Sequence, residues 1–246
     1  VSKTLKLGKL PGHYGTRLSG YGAVLLGTKA LDEQPLDHEA RKAALTEAKD
    51  QFSLDALPGE LDFEGKNVGT AILELWCPPG PGTEGASFVI EGLTFDREQN
   101  GRGVGIKIPA ETVPKNVTFR DIKVHAQNVG VHINHCYQIR FESCIIRGNQ
   151  IGIWGRNHFN SVGILNSSIR RQHLHGIVIG PNVQEWGCTG IYVAGCIFEE
   201  TKGYGILNAG GNAVSIVGNY FEGVGNSIGV LTPYWSTSID TNSFQN

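Results

Sequence analysis

Residues 151–179 read "IGIWGRNHFNSVGILNSSIRRQHLHGIVI", and they hold one complete period of a pattern that fills most of the chain. The phrase "GIWG" at 152 returns as "GIVI" at 176. It is preceded by "GIKI" at 105 and "GVHI" at 130, and followed by "GILN" at 205 and "GVLT" at 229. The steps between these glycines are 25, 22, 24, 29 and 24 residues. Between copies lies a second phrase of alternating apolar and polar residues: "NVTFRDIKV", "QIRFESCII", "VGILNSSIR", "GIYVAGCIF" and "VSIVGNYF", with "SFVIEGLTF" before the first copy. Alternation with period two, broken by Asn, Gly and Ser, reads as about three short strands per unit. A unit of 22–29 residues is too short for a propeller blade and predicts an all-β solenoid.

Composition narrows the function. Lys and Arg total 21 against 23 Asp and Glu in 246 residues, so the broad basic field that nucleic-acid binding needs is absent and no nucleic-acid partner is expected. Apolar runs such as "AVLL" are far too short to span a bilayer, and no membrane association is expected. Five cysteines form no CxxC pair and suggest neither a zinc ribbon nor a complete disulfide framework. Two histidine pairs, His132 with His135 and His173 with His175, lack an evident third ligand, so neither a metal nor another cofactor is expected.

These phrases resemble the coils of a right-handed parallel β-helix of the pectate lyase-like superfamily, over residues 87–246. "VSKTLKL…GTRLSGYG" at the start is similar to the first coil of polysaccharide depolymerases and phage tailspikes. Residues 1–86 then hold the first coils, interrupted at about 35–53 by "PLDHEARKAALTEAKDQF", whose Leu36, Ala40, Ala43, Ala44, Ala48 and Phe52 share one helical face and predict a helical insertion. The last phrase, "SIDTNSFQN", aligns with "SIVGNYFEG" one unit earlier, and the chain reads as a fragment of a longer protein.

"HGIVIG" at 175–180 is similar to the "GHGISIG" of polygalacturonases. Their accompanying "NTD", "DD" and "RIK" are missing: "NVG" stands at 128–130, "QIG" at 150–152, and "YGILN" follows. Without the paired carboxylates there is no acid and base for that chemistry, so the phrase belongs to the fold and His175 is expected to be structural.

In stacked coils each alignment column becomes a row with the inter-strand spacing of about 4.8 Å. Ile106, Val131, Ile153, Ile177, Ile206 and Val230 are expected inside. The preceding column, Val104, Val129, Ile151, His175, Tyr204 and Ile228, also reads as inward. The glycines and the column Lys107, His132, Trp154, Val178, Leu207 and Leu231 should face outward, where Trp154 would offer a sugar a flat apolar face. At the turn back toward the glycine strand, Asp96, His125, Arg147, Arg171, Glu199 and Glu222 form an entirely ionisable column.

Two accounts of that column stand side by side: a salt-bridge ladder that keeps the coils in register, or a substrate cleft. The resemblance implies a polysaccharide partner and an extracellular or virion-surface (secreted or tailspike) setting. For a hydrolase, Glu199 and Glu222 are the catalytic candidates. For a lyase, Arg147 and Arg171 would neutralise a uronate while His173 or Tyr204 handles the proton. His125, His132, Trp154 and Lys107 are further candidates for substrate contact. The rival reading is a non-enzymatic shaft, a homotrimer packed through Val178, Leu207 and Leu231.

Overall fold

β-branched residues alternating with polar ones, and interrupted by residues that tolerate positive φ, give strands joined by sharp corners. Every regular element among the described residues of the computed structural model is a strand. The structure describes residues 4–7, 16–27, 71–77, 87–97, 103–125, 127–180, 187–231 and 236–245. The helix expected at 35–53 lies outside the described residues.

Among the described residues the strands form eight successive coils. The first holds β1 (Leu5–Leu7), β2 (Thr16–Ser19) and β3 (Val24–Gly27). The second holds β4 (Ala71–Leu75), β5 (Phe88–Glu91) and β6 (Thr94–Arg97), and the third β7 (Val104–Ile108), β8 (Lys115–Arg120) and β9 (Lys123–His125). In the fourth and fifth coils the first two strands merge into β10 (Val129–Glu142) and β12 (Ile151–Leu165), followed by β11 (Ile145–Arg147) and β13 (Ser168–Arg170). The sixth holds β14 (His175–Ile179), β15 (Cys188–Ala194) and β16 (Ile197–Glu199), and the seventh β17 (Tyr204–Asn208), β18 (Gly211–Val217) and β19 (Tyr220–Glu222). The eighth holds β20 (Asn226–Val230), β21 (Thr237–Asp240) and β22 (Ser243–Gln245). All pair in parallel with the coil before and after. The third strands make an 8-stranded sheet and the others a 14-stranded one.

The core is a stack of rows. Ile106, Val131, Ile153, Ile177 and Ile206 are fully buried in register, as are Phe95, Val124, Ile146, Ile169 and Phe198 in the smaller sheet. Phenylalanine rings continue from coil to coil, Phe119 on Phe141 at 4.8 Å and Phe198 on Phe221 at 4.7 Å between centroids. The predicted inside row fails at its last member. Ile228, not Val230, lies opposite Ile206, and Val230 is 42% exposed. Consequently Gly229 rather than Leu231 follows Leu207, and Asn226 rather than Ile228 follows Tyr204.

Corners are held by two buried ladders. The backbone amide of Gln127 donates to Asn149 Oδ1, and that of Asn149 to Gln172 Oε1, at 3.1 and 3.0 Å. At the other corner the amides of Cys196 and Asn219 donate to Asn219 Oδ1 and Asn242 Oδ1, each at 2.9 Å. A buried amide left without such a partner would cost about 1–3 kcal/mol, so the ladders fix where the chain turns. All five cysteines are buried, and none is joined in a disulfide.

Candidate functional site

The outer face of the 8-stranded sheet carries the charged row. Successive strands place Leu26, Asp96, His125, Arg147, Arg170, Glu199, Glu222 and Gln245 side by side. Five of the six residues expected in this column are there. The sixth, Arg171, is displaced by Arg170, which lies beside Arg147 and Glu199. Arg171 occupies the corner that follows, at φ 57°, equivalent to Gly148 at 66°, Glu200 at 50° and Gly223 at 57°. Its Nε donates to Glu200 Oε2 at 2.7 Å, and that carboxylate holds the guanidinium pKa above its ordinary value.

Within the row His125 Nδ1 lies 3.1 Å from Asp96 Oδ1, and Arg170 Nη1 lies 3.6 Å from Glu199 Oε2. The Tyr220 hydroxyl is 3.0 Å from Glu222 Oε2 and 2.6 Å from Gln245 Oε1. Arg147 is exposed and forms no ion pair with another described residue. The order along the row is therefore an Asp–His pair, two arginines and two glutamates. Arg147 with Arg170, and Glu199 with Glu222, are like charges directly paired on neighbouring strands. Such pairs work against sheet stability.

Other residues that the sequence nominated lie elsewhere. Lys107, His132 and Trp154 follow one another across the outer face of the larger sheet, and there the expected sugar platform is corrected. Trp154 and His132 are fully buried. Their rings stack at 4.9 Å, Trp154 Nε1 donates to Gly180 O at 2.8 Å, and the Arg156 guanidinium sits 5.2 Å from the indole centroid. Burial, then the charges of Lys107 and Arg156, push the His132 pKa down to about 3, and neither ring nitrogen has a hydrogen-bond partner among the described residues.

Val104, Val129 and Ile151, expected inside, join Trp154, Val178 and Leu207 in a second apolar cluster separate from the core. Val178 and Leu207 are thus no exposed subunit face, and Leu231 is 37% exposed on the last coil. Nor do the glycines form a groove. A Cβ on Gly130, Gly152 or Gly176 would come within 2.4–2.6 Å of the carbonyl oxygen of the next coil's glycine, so this row is buried and permits close stacking.

Tyr204 packs against the second cluster, its ring 5.6 Å from that of His175, and burial raises its pKa. His175 Nδ1 accepts the Tyr204 amide at 3.0 Å, and burial lowers its pKa to about 4. His173 is exposed at the corner between β13 and β14. The structure thus brings His125, Arg147, Glu199 and Glu222 into one row and leaves His173, Tyr204, Lys107, His132 and Trp154 outside it.

Sequence reasoning put Arg170 beside the charged column instead of in it. It also missed a stacked pair, His135 on His158 at 4.3 Å, with the Tyr137 hydroxyl 3.0 Å from His158 Nδ1. The signal was the "NH" recurring at 134 and 157 in equivalent strands. Among the described residues no three His, Cys, Asp or Glu side chains gather as metal ligands.

Compared with known proteins, the chain matches the family described as right handed beta helix region over residues 83–221. No curated protein and no solved structure matches it.

Proposed function

The chain belongs to the right-handed beta helix family, and from that premise we propose that it binds an acidic polysaccharide across the charged row and cleaves it by β-elimination. Fold alone does not choose a chemistry, so the reading rests on the row. The observation that carries it is the contiguity of Asp96, His125, Arg147 and Arg170, with Asp96 against His125 Nδ1 at 3.1 Å. A carboxylate at Nδ1 orients the imidazole and leaves Nε2 to accept a proton.

Two adjacent guanidiniums are suited to a uronate carboxylate, which they would neutralise through charge-assisted hydrogen bonds. Neutralisation acidifies the sugar C5–H. His125 takes that proton, the C5–H electron pair forms the C4=C5 double bond, and the C4–O bond breaks with the electrons leaving on the glycosidic oxygen, which takes a proton from water. All groups act from one side of the sugar, as residues on a single sheet face must.

A second reading draws on Glu199 and Glu222, which are direct strand partners. A spacing of about 4.8 Å is close to the ~5–5.5 Å between the carboxyls of retaining glycosidases. Those carboxyls flank the bond from opposite sides, whereas these two share one face, so elimination is preferred.

The test is incubation with oligouronates, read by the ultraviolet absorbance of the unsaturated uronate end. His125→Ala should lower turnover by about 10²–10⁴-fold, and Arg147→Ala should weaken binding by about 1.5–3 kcal/mol. Saturated products whose release depends on Glu199 would instead establish hydrolysis. Neither binding nor cleavage would favour the structural shaft.

A further inference from the structure

The charged row occupies one outer face of the solenoid; a second feature lies on another, where β10, β12 and β15 run side by side. Their register places Arg140, Gly163 and Tyr192 in one outward row, with Thr118 before and Ser215 after. Arg140 and Tyr192 stand out from the surface, with 68% of the Arg140 side chain and 44% of Tyr192 exposed. Between them is a strand position with no side chain.

No close contact with another described residue requires that glycine. Among the described strand glycines from 105 to 229, Gly190 has a positive φ, and a Cβ at each of the others except Gly163 would meet an atom at 2.8 Å or less. At Gly163 φ is ordinary, and among the described residues a Cβ would touch only the Leu165 side chain, at 3.8 Å. A Cβ is accommodated there, and glycine inside a strand costs about 0.5–1 kcal/mol relative to alanine, so a β-branched residue is expected to stabilise the strand. Its presence keeps a gap open.

The gap has the dimensions of a ring. Arg140 and Tyr192 are two strand spacings apart, about 9.6 Å. A flat group held between two others in van der Waals contact needs about 7–8 Å, twice the 3.5–4.0 Å contact distance. One wall is an aromatic face whose hydroxyl makes no hydrogen bond to another described residue. The other is a guanidinium with free donors: Arg140 Nη1 is 3.7 Å from Glu142 Oε1, while Glu142 Oε2 already accepts from Arg120 at 3.1 and 3.0 Å.

We infer that this notch is a second carbohydrate subsite, in which one pyranose ring lies on Gly163, stacks on Tyr192 and accepts hydrogen bonds from Arg140. An apolar ring face suits tyrosine, and ring hydroxyls or a carboxylate suit guanidinium donors. The choice of a sugar as occupant rests on the polysaccharide reading above; the open notch does not. Its place on a different face makes it a holding site away from the charged row, engaging the same polymer and raising its effective concentration there.

The experiment uses the whole chain with two probes, a galacturonic acid hexasaccharide and a glucose hexasaccharide, followed by saturation-transfer NMR and titration. Tyr192→Ala and Gly163→Thr should each weaken binding of at least one probe tenfold or more. Gly163→Thr should keep or raise the melting temperature, because it fills open space in a strand. With the glucose hexasaccharide, which carries no carboxylate for the charged row, Arg147→Ala should leave the binding lost in Gly163→Thr intact.

Four results would overturn the inference. One is binding that Gly163→Thr leaves unchanged; if Arg147→Ala alone removes it, the charged row keeps its role and the notch has none. A second is a lowered melting temperature for Gly163→Thr, which would make the glycine structural. The third is no binding of either probe at millimolar concentration. Self-association abolished by Gly163→Thr would likewise overturn it, since the notch would then receive a protein side chain.

Discussion

Two outer faces of this solenoid are built by the same alternation and end in opposite states. On the larger sheet the outward residues His132, Trp154 and Val178 are fully buried, and with Val104, Val129 and Ile151 most of them form a second apolar cluster. On the smaller sheet the outward row from Asp96 to Glu222 is charged and partly or fully exposed. The first face is built as stability, and the second holds like charges side by side against it. Alternation decides which side of a sheet a residue takes; what lies over that side decides whether it packs or binds.

The largest effects should come from the core that both faces share. Ile153→Asp places an unpaired carboxylate where Ile153 is now fully buried, so the variant should not fold at ambient temperature. Its neighbour sharpens the comparison. Trp154→Ala should cost about 3–5 kcal/mol in denaturant unfolding, the range for deleting a buried aromatic. A cost below about 0.5 kcal/mol, the level of an ordinary surface substitution, would break the contrast between the faces.

Acid should separate them next. His132 and His175 have folded pKa values lowered to about 3 and about 4, both through burial. The unfolded value is about 6.5, so the unfolded state binds more protons below that pH. Stability is then fully present above pH ~6.5 and falls as the pH drops toward the folded values, by on the order of 3 kcal/mol per histidine near pH 4. His132→Phe, which keeps a ring on Trp154, should flatten this acid limb when unfolding midpoints at pH 7 and pH 4 are compared. An unchanged limb would mean that His132 is not held neutral by the fold.

The reach of the sequence follows the same division. The period, the parallel stacking and the inside row from Ile106 to Ile206 were legible because the glycine phrase and the positive-φ corners recur. Arg170 was legible too: aligning Gly148 and Gly223 with Arg171 marks 171 as a corner position, where φ is 57°, and moves the strand residue back by one. The last coil was misread because "GVLT" matches the repeat in letters, whereas register follows the core side chain, Ile228 opposite Ile206. The burial of Trp154 could not be read at all, since alternation is silent about what covers a face.

The smallest expected effect is the most discriminating. Glu199 and Glu222 are direct partners on β16 and β19, and Glu222 is exposed. If the row were a structural ladder, its charges would alternate in sign, and removing one would cost stability. In a sheet face kept for a ligand, replacing one of two stacked like charges relieves repulsion. Glu222→Gln should therefore raise unfolding stability by about 0.2–1 kcal/mol, the scale of a cross-strand pair, and the gain should shrink in high salt as screening takes over the same role. The counterpart Arg147→Ala, at a residue that forms no ion pair with another described residue, should change stability by less than about 0.5 kcal/mol while weakening oligouronate binding. Stability losses in both variants, with binding unaffected, would turn the row into an ion ladder and leave both faces of the solenoid structural.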